Sequence, residues 1–96
     1  MIRECSNTEI VSLIGKRLRQ YRLNLAVTQK EMAQSTGISL PTIQKLESGR
    51  ASNITLFNLL IIMRYLGIIE NVDSLVPEQP ESPYQLTRQR VRHEKQ

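Results

Sequence analysis

The sequence holds 96 residues with 13 Lys and Arg against 9 Asp and Glu, a formal net charge of +4, which bounds it to one small domain with a limited core. No apolar run approaches the roughly 20 residues of a membrane span, and Met1 to Asn7 lacks the apolar stretch of a secretory signal. Cys5 is the only cysteine, so an internal disulfide is excluded and a reducing cytoplasm is the expected compartment.

The first predicted element is a helix over Asn7 to Leu25. Ser6 and Glu9 have the spacing of a capping box, in which side chain and backbone donors at a helix start satisfy each other. Ile10, Ile14, Leu18, Tyr21 and Leu25 recur at three- and four-residue steps and predict one apolar face. Thr28 and Glu31 repeat the capping box and open a short second helix, with Met32 and Ala33 inward and Gly37 as its stop. Ser39 caps a third helix. Leu40 and Pro41 fall in its first turn, where a missing backbone donor costs little; Ile43 and Leu46 point inward and Gly49 ends it.

A fourth helix is predicted over Thr55 to Leu66, closed by Gly67, and a brief fifth near Asn71 to Val76. Pro77, Pro80 and Pro83 punctuate a linker, after which Ser82, Pro83 and Gln85 can start a short polar helix that is frayed or disordered without a partner. The expected division is a domain over 1–76 and a Pro-punctuated basic tail over 77–96. There is no internal repeat and no convincing strand, so the chain reads as all-α.

Charge is unevenly spread. Lys16, Arg17, Arg19, Arg22, Lys30, Lys45 and Arg50 are opposed only by Glu31 and Glu47, whereas Glu70 to Glu81 is purely acidic among its charged residues. A basic segment suits a polyanion such as duplex DNA, although ordinary solvated cations give the same composition. The informative pattern is local. Thr28-Gln29, Met32-Ala33, Gly37-Ile38-Ser39, Thr42-Ile43 and Leu46-Glu47-Ser48-Gly49-Arg50 place two short helices on either side of a tight turn, with small Ala33 allowing a close crossing. Such a pair can lay one helix across a phosphate backbone while the next enters the major groove.

These pieces, at these spacings, resemble the Cro/CI-type (λ-repressor-like, XRE) helix-turn-helix family over Ile14 to Gly67. The resemblance implies a compact five-helix DNA-binding domain and a transcriptional repressor acting as a homodimer on a palindromic double-stranded operator. It places Gln29 where the family contacts phosphate or braces the first reading residue, and makes Ser39 to Lys45 the recognition helix. Leu40, Pro41 and Lys45, with Gln44 beside them, fall at base-reading positions; Thr42 and Arg50 fall at phosphate-contacting ones. Arg22 and Glu47 match a structural ion pair between the first helix and the end of the recognition helix.

Lys45 is chemically suited to guanine and Gln44 to adenine, whereas Leu40 and Pro41 offer no side-chain hydrogen bond and only contact with thymine methyls. Ala26 also departs from the glycine common after the family's first helix, which implies an adjusted turn.

In the fourth helix, Leu56, Leu59, Leu60 and Met63 form the stripe expected to cover the core. A second stripe of Phe57, Ile61, Tyr65 and Ile68, continued by Ile69, Val72 and Leu75, is the expected dimer interface, unless the fifth helix folds back over it. Leu75-Val76-Pro77-Glu78, Ser82-Pro83 and the arginine-rich end with Arg88, Arg90, Arg92 and Lys95 also look like HipB-type antitoxins, as does the opening from Asn7 to Arg22, which implies a HipA-type kinase toxin as a second partner. A disordered basic tail adding non-specific DNA affinity is the plainer reading of those cations.

The competing reading of the whole chain is a protein-interaction module of the same fold, like bridging factors, without specific operator reading. An enzyme is not expected: His93 is the lone histidine, and no phosphate loop, zinc-ligand cluster or nucleophile arrangement is present. Neither a cofactor nor a metal is implied.

Overall fold

The computed structural model describes residues 2–51 and 53–81. Its elements are α1 (Asn7–Asn24), α2 (Gln29–Thr36), α3 (Leu40–Ser48) and α4 (Leu56–Leu66). A single 3-10 turn, Ile2–Glu4, precedes them, and a 3-10 helix, Ile69–Ser74, takes the fifth place. No strand occurs among the described residues. The fold is therefore all-helical, as expected.

The caps explain where the helices start. Ser6 and Thr28 both form complete capping boxes: each side chain accepts from the backbone N–H of Glu9 or Glu31, and that glutamate accepts in return. Ser39 and Thr55 cap α3 and α4 by accepting from the N–H of Thr42 and Asn58. Hydrogen bonds from Ser6 hold the Glu9 carboxyl below its usual range. At the end of α2, Gly37 is left-handed at φ 74° and its N–H bonds Ala33 O, which turns the chain toward α3.

Leu18, Met32, Ile38, Ile43, Leu46, Ile62 and Leu66 form the buried core, drawing on all four α-helices. α1 lies across α3 with unusual closeness at Gly15. A Cβ added there would stand 1.8 Å from the carbonyl oxygen of Leu46, so no side chain fits. A mid-helix glycine costs roughly 1 kcal/mol in helix propensity, and here the close crossing offsets it. Ala33, the residue expected to permit close packing, is half-buried against the core, but the tightest approach belongs to Gly15.

Several expectations about facing are corrected. Tyr21 and Leu25 are 43% and 51% exposed, so the apolar row of α1 does not stay inward to its end. The buried positions of α1 are Gly15, Leu18 and Arg22. In α4 the buried residues are Ile62 and Leu66, neither in the expected stripe, and Leu56 is 57% exposed. Leu59 and Met63 do pack against the core. The inward stripe of α4 is thus turned by about one residue from the expected one, on a helix with few polar residues to fix its phase.

The fifth element folds back, but onto the other flank of α4. Ile68, Val72 and Leu75 line an apolar groove with Leu59 and Met63 of α4 and Ile14 and Tyr21 of α1. Phe57, on the opposite flank, stays 72% exposed. Residues 77–81 continue without helix, and the expected final helix from Ser82 and the cations Arg88, Arg90, Arg92 and Lys95 lie outside the described residues, as does His93.

Candidate nucleic-acid interface

Helix α3 divides its residues sharply between two sides. Ile43, Leu46 and Glu47 are buried, whereas Pro41, Thr42, Gln44 and Lys45 are exposed and Leu40 is half-buried. Because the inner side is fixed in the core, the outer residues project from a rigid support. Ser39 sits exposed at the N-cap, its hydroxyl 2.7 Å from the Thr42 hydroxyl. That contact and the bond from Thr42 N to Ser39 Oγ keep the first turn of the helix in order.

Thr42, Lys45 and Arg50 come together along one open cleft, with Leu46 and Ile54 on its apolar side. No carboxylate among the described residues lines it. Two cations and a hydroxyl without a competing acid suit a phosphate or the acceptor edge of a base. Asn53 lines the same cleft from the loop between α3 and α4, a position that sequence reasoning missed. Its only advance signal is a short polar residue between two capped helices. Gln44, Leu40 and Pro41 do not line that cleft; they occupy the exposed or half-exposed remainder of α3.

Behind this face lies a buried polar network. Arg22 and Glu47 are only 6% and 3% exposed. Arg22 Nε donates to Glu47 Oε2 at 2.7 Å and Nη2 donates to Oε1 at 2.8 Å, a bidentate pair between α1 and the end of α3. The remaining guanidinium nitrogen, Nη1, donates to the carbonyl of Val27 at 2.7 Å, anchoring the loop into α2. Hydrogen bonding to Glu47 raises the already high pKa of Arg22, against the opposing pull of burial. Arg22 therefore keeps its charge despite its burial.

Gln29 belongs to this network. It is half-buried at the first position of α2, and its Nε2 donates to Glu47 Oε1 at 2.9 Å. The loop before it contains Ala26 at φ 57°, the one described non-glycine residue in the left-handed region. That is the adjusted turn implied by an alanine in the place of glycine.

The remaining sequence-predicted residues lie apart from α3. Phe57 is exposed, Ile61, Tyr65 and Ile68 are half-buried against the core, and Ile69 and Val72 are half-buried. Among the described residues no three His, Cys, Asp or Glu side chains gather as a metal-holding group, and no helix is long and apolar enough to cross a membrane. What the α3 face offers is hydrogen bonding and positive charge.

Residues 18–69, just over half of the chain, match the helix-turn-helix family model. The match begins at the buried Leu18 of α1 and ends at the start of the 3-10 helix, so it covers Arg22, Gln29, all of α3, Arg50 and α4. No curated protein matches the chain.

Proposed function

The chain belongs to the Cro/CI-type, or XRE, helix-turn-helix family of DNA-binding transcription regulators, and from that premise we propose that it is a cytoplasmic, sequence-specific repressor that binds a palindromic operator as a homodimer. The observation that carries the reading is the outward face of α3, where Thr42, Gln44 and Lys45 are exposed while Ile43, Leu46 and Glu47 anchor the opposite side. In this reading α3 enters the major groove. Gln44 suits the paired donor and acceptor of adenine, and Lys45 the two acceptors of guanine. Leu40 and Pro41 contribute thymine-methyl contacts at the entering end of the helix. Ser39, Thr42 and Arg50, with Asn53 beside them, hold the flanking phosphates, which position the helix without reading sequence.

The second subunit meets the first through the exposed flank of α4, centred on Phe57 with Ile61 and Tyr65 beside it. Ile68 and Val72, expected in the same surface, line the groove on the other flank of α4 and are left out of it. Two such domains read half-sites whose centres stand about 34–36 Å apart, one turn of the duplex. The proposal extends to a HipA-type kinase held by the same protein. Its support is the likeness of the C-terminal segment together with the exposure of Leu75 and Val76, 54% and 82%.

Footprinting on the DNA upstream of the protein's own gene tests the main reading. The expected result is protection of two inverted half-sites one helical turn apart, with affinity falling steeply as salt rises. Equal affinity for every duplex of the same length would instead mark the protein-interaction module of the same fold. Co-purification with a kinase encoded by the adjacent gene would decide the antitoxin role.

A further inference from the structure

The network beneath α3 has one more donor than its ion pair requires. Arg22 alone satisfies both carboxylate oxygens of Glu47, at 2.7 and 2.8 Å. Gln29 nevertheless adds a third bond to Oε1 at 2.9 Å. The geometry determines what this bond links. Arg22 joins α1 to α3, and through Val27 O it joins α1 to the loop ahead of α2. Neither contact fixes α2 against α3. Gln29, at the first position of α2, is the residue whose side chain reaches Glu47 in the last turn of α3. Elsewhere these two helices are held by apolar packing between residues such as Met32 and Ile43, which resists separation more than sliding.

We propose that Gln29 is a positioning residue: its amide ties the start of α2 to the buried Arg22–Glu47 pair and so sets the orientation of α3 before any DNA is met. The amide cannot be reversed without cost, because a carboxylate accepts and only the NH2 end donates. One amide hydrogen is committed to Glu47, so the side chain is held across the junction between the two helices. Its influence on DNA then runs through the angle of the recognition helix. Such an angle matters more to an operator, where several base contacts must be made together, than to random duplex held by phosphates alone. This part of the inference rests on the DNA-binding reading above; the tie itself does not.

The test uses the full chain with Gln29→Ala and with Gln29→Met, which keeps the side-chain length but removes the donor. Two quantities are measured: hydrogen exchange of the α2 and α3 amides in the free protein, and the ratio of operator to non-specific affinity. A hydrogen bond to a charged group on a half-exposed side chain corresponds to about tenfold in an equilibrium. Both variants are therefore expected to speed exchange in α2 and α3 by about that factor. The operator preference should drop by about fivefold or more while non-specific affinity and its salt slope stay within about twofold. Unchanged exchange in both variants would overturn the inference, even if DNA affinity fell, since Gln29 would then be a direct contact. Faster exchange with an unchanged operator ratio would also overturn it, leaving a purely structural bond. If the wild-type chain favours no sequence, the repressor reading fails, and exchange in the two variants still decides the tie.

Discussion

The outer faces of α3 and α4 make an instructive pair, since each helix sends one side into the same core. α3 turns Thr42, Gln44 and Lys45 to solvent and is followed by exposed Arg50. α4 turns out Leu56 and Phe57, 57% and 72% exposed, with Arg64 as its only charged residue. Solvent alone would select polar residues on both. The difference indicates two kinds of surface on one small domain, one suited to a hydrated polyanion and one to an apolar partner. Their supports differ as well. α3 is tied down by a buried ion pair and hydrogen bonds, whereas α4 is seated by apolar packing at Ile62 and Leu66.

The strongest way to break the α3 side is to remove its buried anion. Glu47→Ala leaves the Arg22 guanidinium buried without its partner, which is expected to destabilise the fold by about 3–5 kcal/mol. The double change Arg22→Met with Glu47→Leu should recover part of that loss, because no buried charge is left unpaired, while Gln29 and the Val27 carbonyl still lose their partners. Urea midpoints of the two variants, set against the wild-type chain, check this. Equal loss in the single and double variants would mean that packing, not charge, is what the pair supplies.

Next in size is the seam between α1 and α3. Gly15→Ala places a methyl against the Leu46 carbonyl and forces the helices apart, at a cost of about 3 kcal/mol despite the better helix propensity of alanine. Thermal denaturation would show it, and a stabilised variant would contradict the close approach. The recognition face should respond differently. Lys45→Ala is expected to leave the melting temperature nearly unchanged and to remove about 1–3 kcal/mol of preference at one base position. Selection of binding sites by the variant reads this directly, and uniform weakening on all sequences would reassign Lys45 to a phosphate.

What could be read in advance follows the same division. The caps at Ser6, Thr28 and Ser39, the turn at Gly37 and the inward Ile43 and Leu46 are local features, each set by a few neighbouring residues. The recognition motif, composed of such features, was therefore legible. Gly15 was not, because its meaning lies in a carbonyl more than thirty residues along the chain. The facing of α4 failed for another reason: between Leu56 and Leu66 only Asn58, Arg64 and the weakly polar Tyr65 interrupt the apolar residues, which leaves the periodicity almost without phase. The fifth helix was anticipated, but its 3-10 geometry and its packing beside α1 depend on the groove it enters. Asn53 joined Lys45 and Arg50 only through the path of a loop.

The smallest effect on folding should come from the α4 face, and it separates the two surfaces most cleanly. Ile61 and Tyr65 pack partly against the core, so a charge at either position disturbs the monomer along with any interface. Phe57 does not have that drawback. It is 72% exposed in the first turn of α4, where the helix dipole favours an acid. Phe57→Asp is thus expected to change the stability of the folded subunit by no more than about 0.5 kcal/mol. If the apolar flank joins two subunits, the same substitution buries a carboxylate between them, and sedimentation should move from the dimer to the monomer mass. Operator affinity should then fall because one half-site is lost, while the Lys45 contact within each remaining half-site keeps its base preference. A dimer mass that survives Phe57→Asp would take the interface away from this flank and leave the exposed phenylalanine to another partner.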